Sequence, residues 1–159
     1  MRTLLNLPLV LVASLLISII GGTARAETTP EVAVIQRYVA AINDADVATI
    51  RSLLADDFQM LRPWPKCKEN LAPVDCHIKM LKDTALRDRE QRTITAVTQQ
   101  LETVRVNLTI ASKALQRRGI ERILITEEFV VLDDKIRSTL VTLRTEDEQT
   151  RRYRDGLKR

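Results

Sequence analysis

The stretch from Val34 to Phe58, V-I-Q-R-Y-V-A-A-I-N-D-A-D-V-A-T-I-R-S-L-L-A-D-D-F, contains two helical patterns separated by a turn signal. In the first pattern, apolar residues recur three and four positions apart in two adjacent rows, which predicts a helix with a broad buried face. Pro30 suits the first helical position and Thr29 the preceding cap. The polar run N-D-A-D ends this pattern, and Asp46 is expected to cap a second helix. The stretch therefore predicts two consecutive amphipathic helices.

Beyond this stretch, the pattern predicts one short strand and a third helix. Residues Phe58 to Leu61 are typical of a strand that runs into a proline-rich loop. Asp75 is a candidate cap for the third helix, in which Ile78, Leu81 and Ala85 share a face. Asp56 and Asp57 fall at the end of the second helix, where a turn role is favoured over a catalytic carboxylate pair.

From Thr93 onward the period of the pattern changes from helical to two. Residues 104 to 110 alternate between apolar and polar, and residues 120 to 132 and 135 to 143 form a hairpin pattern around Asp133-Asp134. On the first hairpin strand, Glu127 shares a face with four apolar residues: Ile123, Ile125, Phe129 and Val131. Helices followed by antiparallel strands predict an α+β domain, with a curved antiparallel sheet packed on three N-terminal helices.

The two ends of the chain differ from this domain. Residues 1 to 26 combine an early arginine, an apolar run and a small-residue A-R-A site, which is the layout of a secretory signal peptide cleaved after Ala26. A membrane anchor is disfavoured because the run is broken and shorter than the roughly 20 apolar residues of a spanning helix. We expect a folded domain over 27–146, a charged tail over 147–159 that frays into solvent, and a periplasmic or secreted protein.

The charge distribution disfavours a nucleic-acid surface. The whole chain carries a formal charge of +4, but two of its 25 basic residues lie in the signal segment. Charges of both signs are interspersed, and only 3% of the residues are aromatic. A nucleic-acid surface would require a one-sided basic patch or stacking aromatic side chains.

The only two cysteines, Cys67 and Cys76, flank a short loop. In an oxidising compartment such a pair is expected to form a disulfide. A zinc site is the less favoured alternative, because zinc takes four ligands and only His77 is available nearby. We expect no metal or other cofactor, and we expect His77 to lie at the surface or against the loop, because no orienting carboxylate can be placed beside it.

The stretch Val34 to Phe58 closely resembles the opening of the SnoaL-like and ketosteroid isomerase branch of the nuclear transport factor 2-like superfamily. The hairpin segment I-T-E-E-F-V-V-L-D-D-K-I resembles the closing strands of that family. The resemblance implies a cone-shaped half-barrel with a largely apolar pocket in its open end. It is a weak guide to function, because the superfamily includes isomerases, cyclases, dehydratases, transport factors and pocket proteins without catalysis.

The resemblance also implies particular site residues. In the ketosteroid isomerases a tyrosine and a protonated acid form an oxyanion hole, and an aspartate moves the proton. Those positions correspond to Tyr38, Glu127 and, for the base, Arg62 in this chain. Because a guanidinium stays charged, Arg62 cannot act as the base. Arg62 is expected either to bind an anionic ligand group, to pair with Glu127, or to face solvent, and Trp64 either forms part of the pocket rim or belongs to an exposed loop wall.

Three functions follow as hypotheses. The first is a pocket protein without catalysis that binds a small ligand, anionic or carbonyl-bearing, through Tyr38, Arg62, Trp64 and Glu127. The second is an isomerase or lyase that uses Tyr38 and Glu127 as oxyanion donors, with a base that the sequence does not identify. The third is a homodimeric interaction module.

Overall fold

The computed structural model describes residues 28–61 and 71–157 as an α+β fold. The helices are α1 (Pro30–Asn43), α2 (Val47–Leu53), α3 (Pro73–Leu81), α4 (Lys113–Arg117) and α5 (Glu148–Gly156), and a π-helical turn (Lys82–Leu86) extends α3. The strands are β1 (Leu54–Met60), β2 (Gln91–Gln100), β3 (Thr103–Ala111), β4 (Ile123–Leu132) and β5 (Lys135–Leu143). In this described part, no helix is both long and apolar enough to cross a membrane.

Several predictions fall on residues outside these ranges. They are the signal peptide over residues 1–26, Arg62, Trp64 and Cys67 with its disulfide, and all four remain predictions.

The five strands form one open sheet in the order β1-β5-β4-β3-β2. The pairs from β2 to β5 are antiparallel, as predicted, but β1 runs parallel to β5 at the edge. The expectation of a wholly antiparallel sheet is therefore wrong, because a period-two pattern is compatible with either pairing direction. Register irregularities in three of the four strand pairs bend the sheet, and the predicted cone-shaped half-barrel is confirmed.

The N-terminal helices begin where the sequence predicts. The Thr29 side chain accepts a hydrogen bond from the Val32 backbone N–H at 3.3 Å, and that of Asp46 accepts one from Thr49 N–H at 3.0 Å. Such caps satisfy backbone donors that the first helical turn leaves without partners. The inner face of α1, including Ile35, is almost completely inaccessible to solvent and packs on the sheet.

Two local boundaries differ from the sequence prediction. Strand β1 begins at Leu54, directly after α2, so Asp56 and Asp57 lie within a strand rather than in a turn; Asp57 accepts a hydrogen bond from Arg137 of β5 at 2.7 Å. Helix α3 begins at Pro73, so Asp75 lies in its first turn instead of capping it, and Asp75 forms an ion pair with Arg51 of α2. Proline at a first helical position accounts for the earlier start.

The C-terminal segment forms a helix, contrary to the expected fraying. Asp147 caps α5 by accepting a hydrogen bond from the Thr150 backbone N–H at 2.9 Å. The Thr150 side chain is fully buried, and its Oγ1 accepts a hydrogen bond from the Leu124 backbone N–H of β4 at 2.8 Å. A polar composition therefore did not exclude docking, because the helix is held through hydrogen bonds together with the apolar contacts of Tyr153.

Candidate functional site

The concave side of the sheet and the helices α3, α4 and α5 surround a cavity of about 770 Å³. Apolar side chains form a large part of its wall, and polar and charged residues line the rest. The larger apolar residues are Met60, Met80, Leu81, Ile110, Leu115, Ile123, Ile125, Val141 and Leu143. Tyr38 and Glu127, two of the four predicted ligand-binding residues, also line the cavity. Among the described residues, no group of three or more His, Cys, Asp or Glu side chains is arranged to hold a metal ion.

Glu127 is buried at the inner end of this cavity. The alternation of β4 turns its side chain to the same face as Ile125 and Phe129, and only 2% of its surface is exposed. One carboxylate oxygen accepts a hydrogen bond from Thr139 Oγ1 at 2.7 Å, and the other accepts one from Arg92 Nη1 at 3.3 Å. Burial raises the pKa of Glu127, although Arg92 and Thr139 act in the opposite direction.

Arg92 is the cation at the centre of the site. Its Nε donates to Glu90 Oε1 at 2.7 Å, while its Nη1 contacts Glu127. Burial lowers the pKa of Arg92, but Glu90 and Glu127 raise it by more, so it stays charged. The Asn43 side chain at the end of α1 bonds both the N–H and the C=O of Arg92, at 2.8 and 2.9 Å. Helix α1 therefore positions the backbone that carries this guanidinium.

Tyr38 and His77 form a second buried pair beside this array. The Tyr38 hydroxyl lies 2.6 Å from His77 Nε2, and His77 Nδ1 lies 3.2 Å from the sulfur of Met60. Burial, with a contribution from Arg92, lowers the pKa of His77 to about 4, so the ring is neutral near pH 7. With 3% of its surface exposed, His77 is not the surface residue that the sequence predicted, because α3 turns it towards Tyr38.

The hydrogen bonds of this pair indicate which atom holds each proton. A thioether sulfur can only accept, so Nδ1 of the neutral ring carries the proton and Nε2 accepts from the Tyr38 hydroxyl. Burial and the nearby Glu127 also raise the pKa of Tyr38 and keep it protonated. Tyr38 therefore donates its one proton to His77, and both oxygens of Glu127 already accept hydrogen bonds. In this arrangement the Tyr38 hydroxyl directs its proton to His77 rather than into the cavity, whereas the isomerase hypothesis requires Tyr38 to donate to the substrate.

The predicted site was thus incomplete. Arg92, Glu90 and His77 were not predicted as site residues, and the structure pairs Arg92 with Glu127. Arg62, for which pairing with Glu127 is one expectation, lies outside the described residues. One available signal was the spacing of Glu90, directly before β2, and Arg92 within it, since positions i and i+2 share a face where the chain is extended. It was missed because β2 is polar on most of its length and lacks the alternation that reveals a buried face.

Arginines surround the outer part of the cavity. Arg87, Arg117, Arg118 and Arg154 line it together with one acidic residue, Asp88. Asp88 forms ion pairs with Arg87 at 3.1 Å and with Arg117 at 3.2 Å. The Arg118 guanidinium lies 5.9 Å from the ring centre of Tyr153, which α5 contributes to the cavity wall. We call this set of four arginines the arginine mouth.

Sequence comparisons do not identify the chain: no family model matches it. No curated protein matches it either.

Solved structures share its fold. A candidate ketosteroid isomerase from Kribbella flavida aligns over 73% of this chain and 78% of its own, with 16% identity and a TM-score of 0.58. IdmH, a candidate polyketide cyclase from Streptomyces antibioticus, aligns over 73% and 93%, with 15% identity and a TM-score of 0.59. An LEH-like epoxide hydrolase from Mycobacterium tuberculosis aligns over 82% and 96%, with 17% identity and a TM-score of 0.59. The chain thus has the nuclear transport factor 2-like fold, in the form found in ketosteroid isomerase-like and SnoaL-like structures.

Proposed function

We propose that the protein binds a small molecule in the cavity, with the apolar body of the ligand against the wall and a polar group at the buried array. The array consists of Glu90, Arg92 and Glu127, and its burial in a cavity with a large apolar wall is the observation that carries the proposal. Ligand sites typically combine about 300 to 1,000 Å³ of mostly apolar space with a few convergent polar groups.

The energetics of the array support a role in binding. Desolvating two carboxylates and a guanidinium costs several kcal/mol per ion. Replacing such a buried ion pair by apolar residues of similar volume often leaves a protein equally stable or makes it more stable. Stability alone therefore gives little reason to bury Glu127 and Arg92, whose side chains are 2% and 11% exposed. A ligand that exchanges hydrogen bonds with the array would give these groups a function.

The proposal includes the predicted location of the protein. A signal peptide cleaved after Ala26 and a Cys67–Cys76 disulfide would place it in the periplasm or outside the cell. Pairing of two copies through the outer face of the sheet would give a homodimer, and sedimentation velocity of the purified protein measures this directly.

A cavity-filling variant tests the binding proposal. Ala114 lines the cavity from α4, so Ala114→Trp is expected to abolish binding of any ligand found by calorimetric screening of apolar carbonyl, alcohol and carboxylate compounds. Ala48→Trp on the exposed side of α2 is the matched control and is expected to bind normally. Equal binding by both variants, or no ligand from the screen, would count against the proposal.

The array also favours a second candidate, hydrolytic opening of an epoxide. One guanidinium between two carboxylates is electrically neutral when a single proton is shared by the acids, so the array can hold an acid and a base together. Glu127 is the more buried carboxyl and has the raised pKa, which makes it the acid. The Thr139 hydroxyl can rotate to accept from it.

The chemical step balances without a cofactor. Glu90 takes a proton from a water molecule, whose oxygen forms a bond to a ring carbon of the epoxide. The ring C–O bond breaks, and its oxygen takes the proton of Glu127 to give a diol. The proton on Glu90 then returns to Glu127 across the array or through solvent. One of the similar structures is an LEH-like epoxide hydrolase, which is consistent with this candidate but extends only to the fold.

The assay for this candidate is diol formation from a panel of apolar epoxides. Glu127→Gln removes the acid and is expected to lower kcat by about 10²-fold or more, the usual scale of general acid catalysis. Glu128→Gln changes the next residue, which faces the opposite side of the sheet and pairs with Arg105, so it should retain activity. Wild-type turnover that Glu127→Gln leaves unchanged would refute the assignment, and no turnover of any epoxide would remove this candidate.

A further inference from the structure

We propose that the ligand of this cavity is an anionic amphiphile, held with its carboxylate or phosphate group at the arginine mouth and its apolar body inside. This inference rests on the proposed small-molecule function and specifies the chemistry and orientation of the ligand. The observation behind it is a separation of charge between the exposed and the buried lining of the cavity. Arginine is in excess where the lining is most exposed, and carboxylate is in excess in the buried array of Glu90, Arg92 and Glu127.

The outer end carries more positive charge than its acidic residue can neutralise. Asp88 is shared by Arg87 and Arg117, and Arg154 pairs with the exposed Asp155 at 2.9 Å. Among the described residues, no carboxylate lies within ion-pair distance of Arg118, whose guanidinium instead lies near the ring of Tyr153. Planar guanidinium groups bind carboxylate and phosphate through paired hydrogen bonds.

The inner end would reject the same anion. Arg92 is already shared by Glu90 and Glu127, so an anionic group at this position would meet two carboxyls and no free cation. A neutral hydroxyl or carbonyl suits the array better, since it adds no charge to a buried site. The two ends of the cavity therefore select opposite ends of one ligand, and the apolar wall between them selects a hydrocarbon body.

The experiment compares decanoate with decanol, which have the same carbon chain and differ in head-group charge, by calorimetric titration of the purified protein. At low salt we expect decanoate to bind about tenfold more tightly or better, with an advantage that falls as salt rises from about 20 to about 300 mM because screening weakens exposed charge pairs. Decyl phosphate should also bind more tightly than decanol. Comparing its affinity with that of decanoate then shows which of the two oxyanions the arginine mouth binds better.

Variants test whether the arginine mouth is where the anionic group binds. The double variant Arg118→Gln with Arg154→Gln should weaken decanoate about tenfold and change decanol by less than about twofold. The double variant Arg37→Gln with Arg151→Gln removes two exposed arginines that do not line the cavity, so it is the charge-matched control and should leave the affinity for both compounds unchanged. Thermal melting shows whether each variant is folded, and the salt dependence of the wild type tests the inference without any variant.

The outcomes separate this inference from the proposed function. Equal affinity for decanol and decanoate, or decanoate binding that the double variant leaves unchanged, overturns the inference while the pocket function stands. Binding of other ligands that is lost in Ala114→Trp, without binding of either decyl compound, also overturns the inference alone. Absence of every ligand overturns both.

Discussion

His77 is a buried side chain whose contacts connect three elements of the site. Its ring lies 4.9 Å from that of Phe58 of β1, measured between centroids, and accepts a hydrogen bond from the hydroxyl of Tyr38 of α1. Because the ring lies on α3 and its partners lie on α1 and β1, its contacts form only when all three elements are in place. Keeping the ring neutral is a condition of this packing, since an imidazolium would have no carboxylate partner in direct contact.

This neutrality predicts a pH dependence of stability. The folded-state pKa of about 4 lies below the ordinary value of 6.5, so as the pH falls from about 6.5 to about 4 the unfolded chain binds a proton that the folded chain does not. The free energy of unfolding should therefore fall over this window, by up to about 3 kcal/mol from His77 alone. Urea unfolding at pH 7 and pH 4.5 measures the change.

His77→Gln removes the titrating ring while keeping a hydrogen-bond acceptor for Tyr38, and it is expected to lose less stability over the same window. Glu127 acts with the opposite sign, because its raised pKa relieves a buried charge when it is protonated at low pH. It is present in both proteins, so their difference isolates His77. Parallel pH profiles would show that the ring is not buried in its neutral form.

At the scale of elements, α5 is the segment whose structure differs most from what its composition predicts. Its residues E-Q-T-R-R-Y-R-D-G are almost wholly polar, yet the helix contributes Tyr153 and Arg154 to the cavity wall. The attachment is through hydrogen bonds: Thr150 accepts from Leu124 N–H, and Gln149 Oε1 accepts from Glu121 N–H at 2.7 Å. These two bonds satisfy backbone donors at the start of β4 and in the preceding loop.

Thr150→Val keeps the shape of the side chain and removes the acceptor. Because the Leu124 N–H would then lose its partner in a buried place, we expect a loss of about 1 to 3 kcal/mol in the free energy of unfolding. Thr98→Val on the exposed side of β2 is the control and should change stability by less than about 0.5 kcal/mol. Chemical denaturation measures both, and equal stability of the two variants would show that α5 is not docked through Thr150.

At the scale of the whole molecule, the sheet and the helices act as a frame for groups from distant parts of the chain. Arg92 and Glu127 are 35 positions apart, and Tyr38 and His77 are 39 apart. Both pairs lie in one cavity because β2, β4, α1 and α3 converge at the concave face. The predicted disulfide would constrain this frame by joining Cys67, which precedes α3 in the sequence, to Cys76 within α3.

The Cys67–Cys76 disulfide is testable on the purified protein. A ring of this size is expected to stabilise the fold by about 2 to 3 kcal/mol, so a reductant should lower the unfolding midpoint of the wild type. The double variant Cys67→Ser with Cys76→Ser should be insensitive to the reductant. Two titratable thiols in the denatured, unreduced protein would contradict the prediction.

Several features of the fold could be predicted because they are local. The caps at Thr29 and Asp46 depend on residues within one helical turn, and the buried face of β4, Glu127 included, depends only on alternation. The boundary of β1 and the start of α3 were wrong by a few residues, because each depends on which neighbouring element pairs with the segment. The prediction of an antiparallel sheet did not hold for β1, which runs parallel to β5, since the pattern within a strand carries no information on its direction.

The amino-acid sequence by itself determined the α+β class, the order of its main elements and the presence of a carboxyl group on a buried strand face. Periodicity and capping encode these features within a few residues of each other. Only the tertiary structure decided that Arg92 pairs with that carboxyl, that His77 accepts a hydrogen bond from Tyr38, and that four arginines line the exposed part of the cavity. These contacts join residues far apart in the chain, and the burial that shifts the pKa values of Glu127 and His77 arises from packing that no short segment contains.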